Sequence, residues 1–365
     1  MHSKEMLALN GICPYFTMFP LDFPLNILRE QAQPEDAVLD PFCGRGTTNF
    51  AARLLGLSSL GIDSSPVAIA ISAAKAVNVN VNEILEEARN ILEHTVPIDI
   101  PQEEFWQWAY HKDVLKNICS FREAFLQNCI SPARIALRGI ILGALHGPKQ
   151  KTVASYFSNQ FPRTYSPKPA YSVRFWQEHN LKPEYVDVLD IIKRRAMRYY
   201  CIEYQATTNI CLGDSRSSTS YQVETNRPFV WIITSPPYYG MRTYIPDQWL
   251  RNWFVGGSSN VDYSQEGQLL HKSPEIFIQD LKQVWLNSYQ VAEAKAQLII
   301  RFGGIADRKA DPLQLITASL QDTGWSIQRM IPAGSAQEGR RQANSFLRKR
   351  STPIEEFDIW ARKTA

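Results

Sequence analysis

The stretch that decides the fold is AVLDPFCGRGTT, residues 37–48. AVLD has the apolar run of a buried strand, and Pro41, with no N–H to continue a ladder, stops it at Asp40. Gly44 and Gly46 permit a tight turn, and TTNFAARLLG (47–56) continues as a helix of good formers ending near Gly56. Outward from there, SSLGID (58–63) predicts a second strand and PVAIAISAAKAV (66–77) a small-residue helix. On the other side, FPLDFPLNILREQ (19–31) predicts a turn and a short amphipathic helix. Strand, turn, helix, strand, helix is the opening of an α/β doubly wound parallel sheet.

The pattern changes between about 80 and 206, where segments rich in Trp, Arg and Tyr predict a mostly helical insertion with a loop at FPRTYSPKPAYS (161–172). The sheet resumes with TNICLGD (208–214) and FVWIIT (229–234), and AQLIIRF (296–302) follows a long intervening segment. A helix around 312–323 leads to the strand WSIQRMI, and EEFDIWARK closes the chain as an expected edge strand. The expected organisation is therefore 1–79 and 207–365 as two parts of one α/β domain, with 80–206 inserted. There are no internal repeats and no low-complexity tract.

With 365 residues, 44% hydrophobic and 21% charged, the chain has the composition of a soluble globular protein. No apolar run approaches the ~20 residues that span a bilayer, and no signal-peptide pattern opens the chain, so a cytoplasmic location is expected. The cysteines (13, 43, 119, 129, 201 and 211) contain no CxxC pair and the six histidines are dispersed, so neither disulfides nor a metal site is expected. The net charge is only +3, yet between 132 and 205 twelve basic residues face five acidic ones. Arg174, Lys193, Arg194, Arg195 and Arg198 lie there, and GRRQANSFLRKR (339–350) is a second basic run. Such patches suggest a polyanionic partner, or else solvated helical faces.

Three acidic residues fall at successive strand ends: Asp40, Asp63 and Asp214. The glycine turn lacks a third glycine and the Gly-Lys-Ser/Thr of a P-loop, and Asp40 in front of it would repel a pyrophosphate. Asp40 instead suits a cationic or amine-bearing ligand. A carboxylate at the position of Asp63 typically accepts hydrogen bonds from ribose hydroxyls, and Asp214 falls within reach of an adenine amino group. One such Asp would be an ordinary turn residue; three together favour a nucleoside ligand. A second corner, TSPPYYG (234–240), delivers Ser235, Pro236, Pro237 and Tyr238 to the carboxyl end of FVWII, the edge where open α/β sheets bind ligands.

DPFCGRGTT followed by TSPPYYG resembles the amino-group DNA methyltransferases, which methylate adenine N6 or cytosine N4 using S-adenosylmethionine. The resemblance covers roughly 15–75 and 208–305 and implies a Rossmann-like methyltransferase sheet with a large helical insertion. It implies that the turn holding Asp40, Pro41, Phe42, Gly44, Gly46 and Thr47 receives the methionine part of the cofactor. Phe23 is then expected to line the pocket, and Ser235–Tyr238 to form the catalytic corner. Here the cofactor motif precedes the catalytic motif, and the insertion falls between the second and third strands.

The chemistry fits the corner. An exocyclic amino group is a poor nucleophile because its lone pair is delocalised into the ring. The Ser235 hydroxyl and the Pro236 carbonyl are acceptors able to draw that nitrogen toward sp³ character, and the two prolines fix their positions. Tyr238 is expected to stack on a base swung out of the helix. No cysteine follows a proline, which argues against methylation of ring carbon 5 of cytosine through a thiolate. GMRTYIPDQWLRNWF (240–254) places Arg242 and Arg251 as DNA contacts, with Trp249 and Trp253 either beside the site or packed into the core. The expected partners are double-stranded DNA and a cognate restriction endonuclease. The expected product is N4-methylcytosine, with adenine N6, an RNA substrate and a non-catalytic nucleic-acid-binding role as alternatives.

Overall fold

The computed structural model describes residues 3–15, 19–148, 153–158, 168–222, 227–240, 248–261, 273–304, 310–335 and 355–364. In chain order its helices are α1 Lys4–Ala8, α2 Asp22–Gln31, α3 Thr47–Leu54, α4 Pro66–Ala76, α5 Val81–His94, α6 Glu104–Ala109, α7 Lys112–Gln127, α8 Pro132–Ala144, α9 Pro169–Glu178, α10 Val188–Tyr199, α11 Trp249–Phe254, α12 Pro274–Val291 and α13 Pro312–Leu320. Its strands are β1 Ala37–Asp40, β2 Ser58–Asp63, β3 Thr208–Leu212, β4 Phe229–Thr234, β5 Ala292–Gly303, β6 Trp325–Ser335 and β7 Glu355–Lys363. The chain divides into two compact units. One comprises 15–72, 204–242 and 265–365; the other comprises 1–14, 73–203 and 243–264.

The first unit is built on one sheet in the order β3-β2-β1-β4-β5-β7-β6. The pairs from β3 to β5 are parallel, while β7 runs antiparallel to both β5 and β6. This is a Rossmann-like methyltransferase sheet, with its topological switch point between β1 and β4. All four residues of β1 are at most 3% exposed, as a central parallel strand covered on both faces requires. Helix α12 presents Phe277, Leu281, Val284 and Trp285, at helical spacing, to the core with Leu39, Ile62, Ile232 and Leu298. The Trp285 indole donates to Ser319 Oγ at 2.9 Å, so its one polar atom is satisfied inside that core.

The final strand is not the edge that its sequence suggested. EEFDIWARK lies between β5 and β6, bonded on both sides, with Ile359 and Ala361 fully buried. The edge is β6, which carries Pro332 and the exposed Met330 and Ile331. A proline suits an edge because only one side of the strand needs donors.

The second unit is helical. Helix α5 opens with a capping box in which Asn80 accepts from Glu83 N (2.9 Å) and Glu83 accepts from Asn80 N (3.1 Å). Its aromatic core joins Trp106 to Trp253 (ring centroids 4.2 Å apart), Phe105 to Trp249 (4.9 Å) and Phe105 to Trp176 (5.6 Å). Trp249 and Trp253 are thus packing residues, 3% and 1% exposed. The loop expected at 161–172 ends earlier than its sequence suggested, because Pro169 starts α9 at the position where a proline's missing N–H is harmless.

Candidate active site

The glycine turn and the Ser-Pro-Pro-Tyr corner leave the carboxyl ends of β1 and β4, which are neighbours in the sheet. Asp40 ends β1 fully buried. Its Oδ1 accepts from Thr234 Oγ1 at 2.6 Å and from Phe42 N at 3.1 Å, while Oδ2 has no hydrogen-bond partner within normal geometry among the described residues. Thr234, the last residue of β4, therefore ties the turn to the corner. Thr48 Oγ1 adds a second tie by donating to Ile233 O at 3.1 Å. Burial pushes the Asp40 carboxyl up to about 6, against the pull of the Thr234 hydroxyl.

The turn is held against β2. Cys43 N donates to Ile62 O (3.0 Å) and Gly44 N to Asp63 Oδ2 (2.9 Å), while Ser65 N donates to Asp63 Oδ1 (2.8 Å). Burial raises the Asp63 carboxyl despite these N–H donors. Gly46, at φ +71°, caps α3, and a Cβ there would lie 2.8 Å from Ser72 Oγ, the hydroxyl that donates to Gly44 O. Thr47 begins α3 and is buried. Pro41 O accepts from Ser215 Oγ, and the half-buried Phe42 ring meets Trp285 edge-on at 6.2 Å.

Asp214 follows β3, and Arg216 occupies it. The guanidinium donates to Asp214 Oδ1 (3.0 Å) and Oδ2 (2.7 Å), and its other arm reaches Asp280 Oδ2 (3.0 Å). Burial pushes the Asp214 carboxyl up, but the hydrogen bonds and charge of Arg216 outweigh it and the net shift is downward. Phe23, on α2, is 8% exposed, and the Arg301 guanidinium lies 3.8 Å from its ring centroid, fixed by two 2.8 Å bonds to Asp358. In the corner itself Ser235 and Pro237 are half-buried and Pro236 is buried. Tyr238 is 7% exposed, edge-on to Phe302 at 5.4 Å, and its hydroxyl donates to Glu356.

These residues fit a small cationic nucleoside. A buried carboxylate with one bare oxygen, backbone close to a turn that a side chain would fill, and a second carboxylate at the next strand end are the required parts. Sequence reasoning missed Thr234, Arg216 and Glu356. Thr234 precedes the corner directly and was within reach of it; Glu356 carried no local signal.

Among the expected DNA contacts, three arginines have other partners. Arg251 is 2% exposed and donates to Leu142 O (3.3 Å) and Gln248 Oε1 (2.8 Å), so it is a core residue of α11 and not a phosphate contact. Arg194 donates to Asp190 (2.9 Å) and Ala154 O (2.5 Å). Arg195 donates to Ser155 O (3.0 and 3.2 Å) and lies over the Tyr156 ring at 5.0 Å. Both anchor residues 154–156 to α10, which gives each guanidinium a structural partner and turns its Nε away from any phosphate. Arg174, Lys193 and Arg198 are exposed. Arg242 and the basic run 339–350 lie outside the described residues.

Among the described residues no cluster of His, Cys, Asp and Glu could hold a metal ion, and no helix is long and apolar enough to cross a membrane. The model of the N6/N4 methyltransferase family, described as DNA methylase, matches residues 2–74, which contain α2, the glycine turn and Asp63. No curated protein matches the sequence. Similar solved structures include an S-adenosylmethionine-dependent methyltransferase from Methanosarcina mazei, at 10% identity over 95% of this chain and 98% of that one, with a TM-score of 0.33. Another is the rRNA methyltransferase aviRa from Streptomyces viridochromogenes, at 11% identity over 99% and 93%, with a TM-score of 0.37. A third is a magnesium protoporphyrin IX methyltransferase from Synechocystis, at 8% identity over 94% and 78%, with a TM-score of 0.34. The fold assignment rests on the strand order given above. Residues 2–74 thus resemble the N6/N4 DNA methylases, and the strand order gives the chain a Rossmann-like methyltransferase sheet.

Proposed function

We propose that this protein methylates an exocyclic amino group of a base in double-stranded DNA, with cytosine N4 favoured over adenine N6. The observation that carries the reading is the hydrogen bond from Thr234 to Asp40, because it fastens the cofactor turn to the Ser-Pro-Pro-Tyr corner at the switch point of the sheet. Asp40, Phe42, Gly44, Gly46 and Asp63 would hold the cofactor, with Pro41 and Thr47 shaping the turn and Phe23 and Asp214 flanking it. When bound, S-adenosylmethionine supplies an electrophilic methyl group on a sulfonium. The bare Asp40 oxygen offers the negative charge that such a cation needs.

The Ser235 hydroxyl and the Pro236 carbonyl accept from the target amino group, localise its lone pair and orient it. Tyr238 flanks the base, which must leave the helix to reach the corner. Serine at the head of the corner favours cytosine, since a hydroxyl accepts from N4 or donates toward N3, whereas an ionised carboxylate only accepts. The exposed Arg174, Lys193 and Arg198 are proposed phosphate contacts. The setting is cytoplasmic, and a restriction-modification system with a cognate endonuclease accommodates such an enzyme.

Incubation with methyl-labelled cofactor and either duplex DNA or RNA tests the substrate class. Label on DNA supports the reading, and label on RNA alone would replace it with the same chemistry on a different polymer.

A further inference from the structure

We infer that Glu356 is a positioning residue for methyl transfer: from the antiparallel strand β7 it fixes the tyrosine of the catalytic corner. The inference rests on the reading that Ser235–Tyr238 handles the target base. The Tyr238 hydroxyl donates to Glu356 Oε1, and both residues are only 7% exposed. A phenol hydrogen-bonded to a buried carboxylate cannot swing about its Cα–Cβ bond without breaking that bond, at a cost in free energy.

Two neighbours make the arrangement specific. Gly303, paired with Glu356 across the β5–β7 ladder, leaves room for both groups. A Cβ there would stand 3.0 Å from Glu356 Cγ and 3.3 Å from Tyr238 Cε2. Two residues along β7, on the same face, Asp358 grips Arg301 with two hydrogen bonds of 2.8 Å. Arg301 in turn covers Phe23. One face of β7 thus locks the corner tyrosine through one carboxylate and reaches the expected cofactor aromatic through the other. Placing β7 inside the sheet, next to β5, is what brings Glu356 to the corner.

The hydrogen bond that orients Tyr238 is lost in either Glu356→Ala or Tyr238→Phe, and the wall that the target base meets is then held by packing alone. Misplacement on the ångström scale costs up to about a hundredfold in rate. Single-turnover methyl transfer to duplex DNA at saturating cofactor measures it, with cofactor affinity by calorimetry and Ser235→Ala as the reference. Each variant is expected to lower the transfer rate, the double variant to be no slower than the slower single, and Glu356→Gln, which keeps an acceptor, to recover most of the rate. Cofactor affinity should stay within about threefold of wild type, since only transfer-state contacts are lost. Should Glu356→Ala fail to fold, Tyr238→Phe and Glu356→Gln carry the same test. Wild-type transfer by folded Tyr238→Phe while Ser235→Ala is crippled would overturn the inference alone. Wild-type transfer by Ser235→Ala as well would overturn the functional reading and this inference with it.

Discussion

Asp40 is fully buried with Oδ1 hydrogen-bonded and Oδ2 without a partner of normal geometry among the described residues, and burial lifts its carboxyl from an ordinary value near 3.8 to about 6. Because the folded state binds this proton more tightly than the unfolded chain, the stabilisation is fully present below about pH 4. It is lost as pH rises through 6, and at neutral pH the ionised carboxylate opposes folding. An asparagine in its place would not titrate. Asp40→Asn should therefore gain stability over wild type by about 2–3 kcal/mol more at pH 7.5 than at pH 4, following about 1.4 kcal/mol per pKa unit. The same variant should bind S-adenosylmethionine more weakly, since it no longer offers a charge to the sulfonium. Urea unfolding at the two pH values checks the first expectation; a pH-independent difference would mean that Asp40 ionises as freely in the fold as outside it. Asp40 and Asp63 were legible in the sequence because each ends an apolar run and is followed by a breaker. Tyr238's tether was not, since Glu356 lies more than a hundred residues away and no short-range pattern links them.

At the scale of elements, the glycine turn depends on how closely α3 lies against β2. Gly61, in the middle of β2, has no space for a side chain: a Cβ would stand 2.5 Å from Asn49 Oδ1 and 2.9 Å from Cys43 Cβ. Gly61→Ala must push α3 and the turn away from the sheet, which costs roughly 1–3 kcal/mol as overpacking does. Cofactor affinity should fall along with it, because Gly44 and Asp63 would separate. Denaturant midpoints and cofactor titration check both; unchanged values would show that the turn is not held by this contact. The parallel strands were readable as short apolar runs bounded by Pro, Gly and Asp. The position of β7 was not. Hydrophobic pattern predicts that a segment is a strand, but antiparallel pairing decides which neighbours it takes, and here it closed between β5 and β6.

For the whole molecule, the proposed nucleic-acid contacts divide by what each cation already touches. Arg194 and Arg195 hold residues 154–156, whereas Arg174, Lys193 and Arg198 are exposed. Each true phosphate contact should flatten the dependence of DNA affinity on salt by about one unit of slope when removed. Alanine at 174, 193 and 198 is expected to do so, while Arg194→Ala/Arg195→Ala should lower the melting temperature and leave the slope alone. The reverse pattern would return the two arginines to the DNA. Local charge was legible in the sequence, but exposure was not: nothing in the local sequence separates Arg251, buried on α11, from Arg198.

The central claim, amino-group methylation at the Ser235 corner, is tested most directly by mass spectrometry of nucleosides digested from duplex DNA treated with enzyme and cofactor. Wild type should yield N4-methylcytosine, and Ser235→Ala should yield far less at undiminished cofactor affinity. N6-methyladenine without N4-methylcytosine would contradict the base assignment. A product at ring carbon 5 of cytosine, or equal yields from wild type and Ser235→Ala, would contradict the catalytic role of the corner itself.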